Sequence, residues 1–366
     1  MKIITSKIMT PSEILNYRLI NHGLVNSRNT SCEEVVRKSG VIQSQDFPAS
    51  KLAIGIRLPN SFESDIIRSI NDGSIIRTSA LRGTLHLVSS KDIKWILDLA
   101  GPAVITKMKK QYNSVGLEEK IFSKAFKIFS KELDGKYLTR QELYALLMKN
   151  GISPEENRGV YLINRASLQN VICQGPMKDD KEITFTLLDS WAPKSPILER
   201  KDALHELAKR YFQSHGPATF ADFVNWSGLS NADAKKAFES IQSEINKVSL
   251  NQSEYGYYDN IKVGPMPNKV YLLPAFDEYI LGYKNRELFL DKEYSKNVIT
   301  VNGLFYPTII VKGKVIGTWK RSISKGKVNI EIQPFELSNK IKHSAIKEEL
   351  KSLESFLDMP IVLKTL

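Results

Sequence analysis

The sequence has few of the residues that bind metals or cross-link chains. Its 366 residues include two cysteines, Cys32 and Cys173, and five histidines. Two cysteines so far apart cannot build a disulfide framework or a thiolate zinc site. No two histidines have the HxH or HxxxH spacing of a metal site. We therefore expect no metal and no other cofactor, and we do not expect a metal-dependent nuclease.

Long hydrophobic segments are also missing. No run approaches the ~20 apolar residues that a membrane-spanning helix needs. The amino terminus has no apolar core followed by a cleavage site, so it does not resemble a secretion signal. We expect a monomeric cytoplasmic protein, associated with the nucleoid and not with a membrane.

Acidic residues are scarce in one stretch of an already basic chain. The net charge is +12, from 52 lysines and arginines against 40 aspartates and glutamates. Such an excess favours an anionic partner: nucleic acid, an acidic membrane surface or polyphosphate. No acidic residue lies between Lys296 and Glu331. The cations from Lys296 onward are Lys296, Lys312, Lys314, Lys320, Arg321, Lys325 and Lys327.

Two lysine-rich turns in this stretch have two interpretations. Lys312-Gly313-Lys314 and Lys325-Gly326-Lys327 suit contacts with DNA phosphates, and the neighbouring Trp319 suits a wedge between stacked bases. Lysines also protect the edges of β-sheets from association. Composition leaves both interpretations open.

Amphipathic helices followed by a pair of strands recur three times before residue 260. The first round has helices at 11–21, 31–38, 49–58 and 62–71 and strands at 75–79 and 84–88. The second has helices at 122–133, 141–149 and 159–169 and strands at 171–173 and 183–187. The third has helices at 203–212, 219–227 and 231–244 and strands at 246–250 and 255–259. This order is typical of a winged helix-turn-helix, whose third helix usually enters a DNA groove.

The last hundred or so residues have a different pattern, with strands at 270–273, 308–311, 315–323 and 328–334 and a helix at 344–357. The sequence therefore predicts an α+β protein. Three tandem winged helix-turn-helix domains (1–100, 101–195 and 196–262) precede a small, barrel-like, β-rich domain (263–366). Winged helices also serve as protein–protein modules, so the fold class alone does not establish function.

The segment Gln43-Ser44-Gln45 is the most informative one for chemistry. Pro48 disfavours a helical conformation at Phe47, which predicts an extended segment before it. In an extended segment, residues two apart point the same way, so Gln43 and Gln45 would present both amides to one spot. Two amides can hold a water through donor and acceptor groups together. The alternative is an ordinary polar loop.

Four blocks and Arg57 resemble the AlkZ-type DNA glycosylases, a family of three tandem winged-helix domains closed by a small β-rich domain. The blocks are residues 40–49, 81–88, 272–283 and 313–321, in the family's order. The resemblance implies that Gln43 and Gln45 are the catalytic pair. We assign the water contact to Gln45 and a supporting role to Gln43. Ser44 stands where the family's motif prefers an aliphatic residue.

The resemblance also implies a substrate and a mechanism. Family members are linked to bulky N7-alkylated purines and interstrand crosslinks in double-stranded DNA. Hydrolysis of the N-glycosidic bond would be monofunctional, since no lysine nucleophile is implied. The alternative is a non-catalytic winged-helix DNA-binding protein, either a regulator or a self-resistance scaffold, in which both glutamines are dispensable.

Nine residues are predicted to contact DNA: Arg57, Arg77, Arg82, His86, Lys312, Lys314, Trp319, Lys320 and Arg321. His86 has an alternative as a hydrogen-bonded strand histidine. We expect Asp277 and Glu278 to pair with basic residues and not to act as acid and base. Tyr279 and Tyr283, at helical spacing, are predicted to lie in the core.

Overall fold

The computed structural model describes residues 7–179, 182–259, 261–335 and 343–365. They form two compact units. The first comprises the described residues of Met1–Ile66, Ala208–Trp226 and Phe238–Leu366, and the second those of Ile67–Leu207 and Ser227–Ala237. Helices and small sheets are both present, which confirms the α+β class. The division into four consecutive domains stays a prediction.

The amino-terminal part of the first unit alternates helices with very short strands. Its elements are β1 (Lys7–Ile8), α1 (Pro11–Asn21), α2 (Cys32–Ser39), β2 (Ile42–Gln43), α3 (Phe47–Gly55) and the start of α4 (Glu63–Asn71). Thr10 caps α1 in a capping box with Glu13, and Ser31 caps α2 by accepting the N–H of Glu34. Both caps satisfy backbone donors that the first turn of a helix leaves unpaired.

Helix α3 begins at Phe47, two residues before the predicted start. The expectation that Pro48 would keep Phe47 out of the helix is therefore wrong. Asp46 caps the helix, since its Oδ1 accepts the N–H of Ala49 at 2.9 Å. Proline is tolerated in a first helical turn because its missing N–H would have had no partner there.

The second unit contains most of the long helices. Its elements are β3 (Ile75–Ser79), a 3-10 turn (Leu81–Gly83), β4 (Leu85–Ser89), α5 (Ile93–Ser114), α6 (Glu119–Glu132), β5 (Leu138–Thr139), α7 (Arg140–Lys149), α8 (Arg158–Leu168), β6 (Ile172–Lys178), β7 (Glu182–Leu187) and α9 (Leu188–Trp191). A core of buried apolar side chains, including Phe122, Phe129, Leu143, Leu147 and Leu162, joins α6, α7 and α8. Burial of such side chains is the main favourable term in folding.

The remaining elements belong mostly to the first unit. They are α10 (Arg200–His215), α11 (Phe220–Ser227), α12 (Asn231–Ser240), β8 (Asn246–Leu250), β9 (Ser253–Tyr257), β10 (Val270–Leu273), α13 (Glu278–Leu281), a 3-10 turn (Lys292–Tyr294), α14 (Ser295–Val298), β11 (Thr308–Val311), β12 (Lys314–Ser324), β13 (Lys327–Pro334), α15 (His343–Leu357) and β14 (Ile361–Thr365). Helices α4, α10, α11 and α12 each contain the point at which the chain passes from one unit to the other.

The carboxy-terminal sheet has five strands in the order β10-β11-β12-β13-β14. Strands β10 to β13 are antiparallel neighbours, and β14 joins parallel to β13. Left-handed residues make both tight turns, at Lys312-Gly313 and at Lys325-Gly326, as hairpins with two-residue turns require. The predicted hairpins are therefore confirmed. Barrel-like closure is not confirmed, because no pairing between β10 and β14 occurs among the described strands.

Three antiparallel hairpins follow helices along the chain, as the three predicted rounds require. They are β3–β4, β6–β7 and β8–β9. Strand β5 adds to β7 and β1 adds parallel to β8, and each of the three hairpins lies in a three-stranded sheet. The order of elements matches the winged-helix pattern. The tandem winged-helix arrangement itself stays a prediction.

Candidate functional site

The Gln-Ser-Gln segment connects strand β2 to helix α3. Val41 and Ile42 are buried, and the chain bends between Gln43 and the cap of α3 at Asp46. Gly40, before them, has a φ of 81° and its α-carbon faces the ring of Trp226. A side chain there would be strained by the left-handed backbone. The segment is therefore held at both ends by buried or capped residues.

Gln43 is fixed by its side chain and by its backbone. It is 6% exposed. Its Oε1 accepts the N–H of Gln45 at 2.6 Å, and its own N–H donates to Oε1 of Glu278 at 3.0 Å. Since a backbone N–H can only donate, the atom that faces Gln45 must be the amide oxygen. The amino group of Gln43 is therefore the part of the amide that can donate to another group.

Gln45 differs from Gln43 because its side chain is exposed. Its backbone N–H donates to Gln43, which fixes the backbone at this position. The expected extended conformation is confirmed for Gln43, which lies in β2, whereas Gln45 lies in the bend that follows. The pair thus combines one anchored amide with one accessible amide.

Ser44 is completely buried between the two glutamines. Its hydroxyl lies 2.8 Å from Oγ of Ser50, which in turn donates to the carbonyl of Phe47 at 2.8 Å. The hydroxyl hydrogen of Ser50 is used in the hydrogen bond to the Phe47 carbonyl. Ser44 is therefore the donor in the hydrogen bond between the two hydroxyls. A buried serine is therefore accommodated here through hydrogen bonds to α3.

Glu278 reaches this segment from 235 residues along the chain. Its carboxylate is 3% exposed and accepts two N–H groups, from the backbone of Gln43 at 3.0 Å and from the indole of Trp226 at 3.0 Å. Hydrogen bonds to a charged acceptor are stronger than those between neutral groups. Glu278 thus couples the position of Gln43 to a buried aromatic cluster.

His215 lies beside Glu278 without donating to it. Its Nδ1 is 2.7 Å from Oγ of Ser214, whose hydroxyl donates to the carbonyl of Arg210 at 2.7 Å. Nδ1 of His215 must therefore carry the proton, and its Nε2 faces Oε2 of Glu278 at 3.6 Å. Burial lowers the pKa of His215, and Glu278 opposes that shift. His215 and the two N–H donors thus surround the carboxylate of Glu278.

Arg57 is the anchor of the neighbouring segment and not a surface residue. Its Nη1 and Nη2 donate to the two carboxylate oxygens of Asp277 at 2.8 and 2.7 Å. Its Nε and Nη1 also donate to the carbonyls of His22 and Ala53. The side chains of Arg57 and Asp277 are 3% and 0% exposed. The geometry therefore corrects the expected DNA contact of Arg57, and it confirms that Asp277 pairs with a basic residue.

The expected DNA contact of Trp319 is also wrong. It is 1% exposed, and its Nε1 donates to the carbonyl of Leu273 at 2.8 Å. A buried, hydrogen-bonded indole cannot act as a wedge against DNA bases. Tyr279 and Tyr283 are both fully buried, which confirms that they are core residues.

The three predicted DNA contacts in the second unit lie on or beside the β3–β4 hairpin. Arg77 is 7% exposed, and burial lowers its pKa to about 10. His86 is fully buried, and its Nδ1 lies 2.8 Å from the carbonyl of Thr84, as the alternative of a strand histidine requires. Arg82 is half-buried in a left-handed conformation between the strands. Only Arg82 of the three has substantial exposure.

The lysines of the carboxy-terminal sheet are accessible. Lys312, Lys314 and Lys320 are exposed, and Arg321 is half-buried. Lys314 lies 4.0 Å from Asp291, at the limit of an ion pair. Because exposed ion pairs are weak, that contact leaves the charge of Lys314 accessible to another anion.

Two further features concern the whole described chain. Among its described residues, no three His, Cys, Asp or Glu side chains come together as a metal site would require. No helix in the described ranges is long and apolar enough to cross a membrane.

The comparison with known families gives the chemistry a context. The family model described as "DNA glycosylase AlkZ-like" matches residues 36–356, which include the Gln-Ser-Gln segment and Glu278. The chain belongs to the AlkZ-like DNA glycosylase family. The enzyme class that follows is a DNA N-glycosylase.

A sequence comparison and a structure comparison, both with a Streptomyces sahachiroi glycosylase, agree with this assignment. An interstrand DNA cross-link repair glycosylase is 24% identical over 352 residues, covering 92% of this chain and 94% of the relative. The solved structure of the DNA glycosylase AlkZ superimposes with a TM-score of 0.84 at 21% identity, covering 98% of this chain and 100% of AlkZ. The second comparison shows that the two chains share a fold.

Sequence reasoning missed the partners of Gln43. Glu278 accepts N–H groups from Gln43 and Trp226, which the sequence did not predict. The expected pairing of Glu278 with a basic residue stays a prediction. No local pattern indicates these contacts, since they join residues 235 and 52 positions apart. The only signal was that Glu278 lies in one of the blocks that carried the resemblance.

Replacing Arg57 by alanine tests its structural role. The change leaves Asp277 buried without its cation, so we expect a loss of about 3–5 kcal/mol in the free energy of unfolding. Chemical denaturation measures it. The exposed Arg28 is the control, and Arg28→Ala should shift stability by less than about 0.5 kcal/mol. An unchanged unfolding midpoint in Arg57→Ala, together with weaker DNA binding, would restore the DNA-contact interpretation.

Proposed function

We propose that this glycosylase hydrolyses the N-glycosidic bond of N7-alkylated purines in double-stranded DNA, including bulky and cross-linked adducts. In this proposal Gln45 contacts the attacking water, and Gln43 supports it. The observation that carries the proposal is the anchoring of Gln43 through Oε1 to Gln45 and through N–H to Glu278. These bonds hold the loop in one arrangement before any substrate binds.

The chemistry suits amides in place of carboxylates. Breaking an N-glycosidic bond passes through an oxocarbenium-like transition state and normally needs help for the leaving group. A purine alkylated at N7 is already cationic, so the leaving base needs no proton from a general acid. The protein must then position a water near C1′ and complement the charge that develops on the sugar.

The two glutamines divide this work according to their exposure. Gln45 is exposed, and its amide oxygen can accept a hydrogen bond from the water and so orient the water's lone pair. Gln43 is buried and bonded, and its amino group is a donor of fixed direction. A hydrogen-bond network arranged in advance loses little reorganisation energy during the reaction.

The relative from Streptomyces sahachiroi is named an interstrand DNA cross-link repair glycosylase. That name supports cross-linked DNA as a substrate. Contacts with the DNA backbone are proposed for the exposed cations Lys312, Lys314 and Lys320, with Arg321 beside them. They lie in the stretch without acidic residues, which suits a polyanion. Among the predicted contacts of the second unit, Arg82 is the one whose exposure permits the same role.

Gln45→Ala tests the catalytic proposal. On a duplex with one N7-alkylated guanine, we expect the variant to release base more slowly by about 10²–10³-fold, the usual cost of losing a positioned group. Affinity for undamaged duplex should not change, since Gln45 carries no charge. Gln111→Ala, at an exposed glutamine on α5, is the matched control. The rate of base release by the wild-type protein should be the same with and without EDTA.

Two results would contradict the proposal. Wild-type release by Gln45→Ala would remove Gln45 from the mechanism. If the wild-type protein released neither small nor bulky N7 adducts while binding intact duplex tightly, the N7-alkylpurine substrate would be wrong.

The double variant Lys312→Ala, Lys314→Ala tests the proposed DNA contacts. Each phosphate contact contributes about 0.9 to the slope of log affinity against log salt concentration, so the slope should fall by up to about two. Fluorescence anisotropy over a series of salt concentrations measures it. Lys127→Ala, Lys131→Ala changes two exposed lysines of α6 by the same charge and serves as the control. An unchanged slope in the first variant would show that its lysines do not face DNA.

A further inference from the structure

An apolar turn projects from the first unit between α14 and β11. We call residues 299–306 the Val301 turn. The side chain of Val301 is 101% exposed, that of Leu304 49% and that of Tyr306 44%. Single exposed apolar residues are ordinary on protein surfaces, but three within six positions form a patch. Such a patch is typical of a surface that contacts a partner.

The turn is built rigidly by its own hydrogen bonds. Thr300 donates its N–H to the carbonyl of Leu304 at 2.9 Å and accepts the N–H of Leu304 through Oγ1 at 3.0 Å. Ile299 and Phe305 form a β-bridge, and the N–H of Gly303 returns to Thr300 at 3.0 Å. Gly303 has a φ of 75°, which side chains disfavour. The hydrogen-bonded turn therefore holds Val301 in an exposed position. Little conformational entropy would be lost when it binds a partner.

The base of the Val301 turn is connected to the segment that holds Gln43. The ring of Phe305 lies 6.0 Å from that of Phe276, with the Arg286 guanidinium 5.2 Å from the Phe305 ring. Phe276 has a φ of 57°, a costly backbone conformation for a large side chain. Two residues later comes Glu278, the acceptor of the Gln43 N–H. The turn thus shares a support with the catalytic loop.

The surroundings of the Val301 turn in the sequence favour an anionic partner. The turn lies within the stretch from Lys296 to Glu331, where no acidic residue occurs. Its end is joined to the sheet, because Trp319 donates its N–H to the carbonyl of Pro307 at 3.2 Å. The exposed Lys320 follows Trp319 on β12. An apolar tip in a stretch that contains cations and no acidic residue suits DNA, whose base edges are apolar in part and whose backbone is anionic.

We propose that the Val301 turn is an apolar wedge that enters the DNA next to the lesion, with Val301 pressed between neighbouring base pairs. The proposal rests on the function proposed above and adds a surface that distorts the duplex. Apolar side chains inserted between base steps partly unstack them and bend the duplex. Unstacking around the lesion would open the sugar to the water near Gln45.

The test uses a duplex with an N7-alkylated guanine and 2-aminopurine at the adjacent position, whose fluorescence rises when it loses its stacking. Wild-type protein should raise the fluorescence on binding. Val301→Ser should remove most of that rise and weaken affinity for the lesion duplex roughly tenfold, since an apolar contact is lost. Its salt slope should not change, because no charge is altered. Val301→Leu, which keeps an apolar tip, should restore the fluorescence rise.

Ile197→Ser is the matched control, since Ile197 is an aliphatic residue with 78% exposure elsewhere on the chain. Gln45→Ala should keep the full fluorescence rise, so a failure of the catalytic proposal can be distinguished from a failure of the wedge. A wild-type response and affinity in Val301→Ser would overturn the wedge. Loss of self-association in Val301→Ser, with DNA binding unchanged, would assign the turn to contacts between copies and also overturn it.

Discussion

Arg57 and Asp277 form the buried ion pair on which the arrangement of the Gln-Ser-Gln segment depends. Removing two charges from water is costly, and the cost is offset only when geometry and further hydrogen bonds are good. Here the pair is bidentate, and Arg57 donates to two carbonyls as well. Asp277 also accepts the N–H of Tyr279 and so caps α13. The first residue of that helix is Glu278, which is thereby directed at Gln43.

Hydrogen-bond donors stabilise the charge of Glu278. Burial lowers the pKa of the neighbouring His215, and Glu278 opposes that shift. The N–H groups of Gln43 and Trp226 donate to the carboxylate. A carboxylate held in this way is a strong acceptor, and its partner Gln43 is correspondingly restrained. The proposed hydrolysis uses that restraint, because positioning a water is worth more when the positioning groups do not move.

Local features of the fold could be predicted from the sequence, and long-range contacts could not. Thr10 and Ser31 predicted the starts of two helices, and two Lys-Gly pairs predicted two hairpin turns. These predictions were possible because capping and turn formation depend on residues only a few positions apart. Helix α5 was not among the predicted elements, and it continues through Pro102. The DNA contacts predicted for Arg57 and Trp319 were wrong, because the type of a residue does not reveal whether it is buried. The Gln-Ser-Gln segment was found through resemblance, whereas its anchor Glu278 needed the structure.

The role of Glu278 is tested most directly by the single-turnover rate of base release by Glu278→Gln. The enzyme is in saturating excess over a duplex that contains one N7-alkylguanine. An amide offers one oxygen where the carboxylate accepts two N–H groups, so Gln43 or Trp226 loses its acceptor. We predict a rate at least about tenfold lower with unchanged duplex affinity. Glu349→Gln, at another buried carboxylate, should keep the wild-type rate. A wild-type rate in Glu278→Gln would contradict the claim that Glu278 positions the catalytic glutamines.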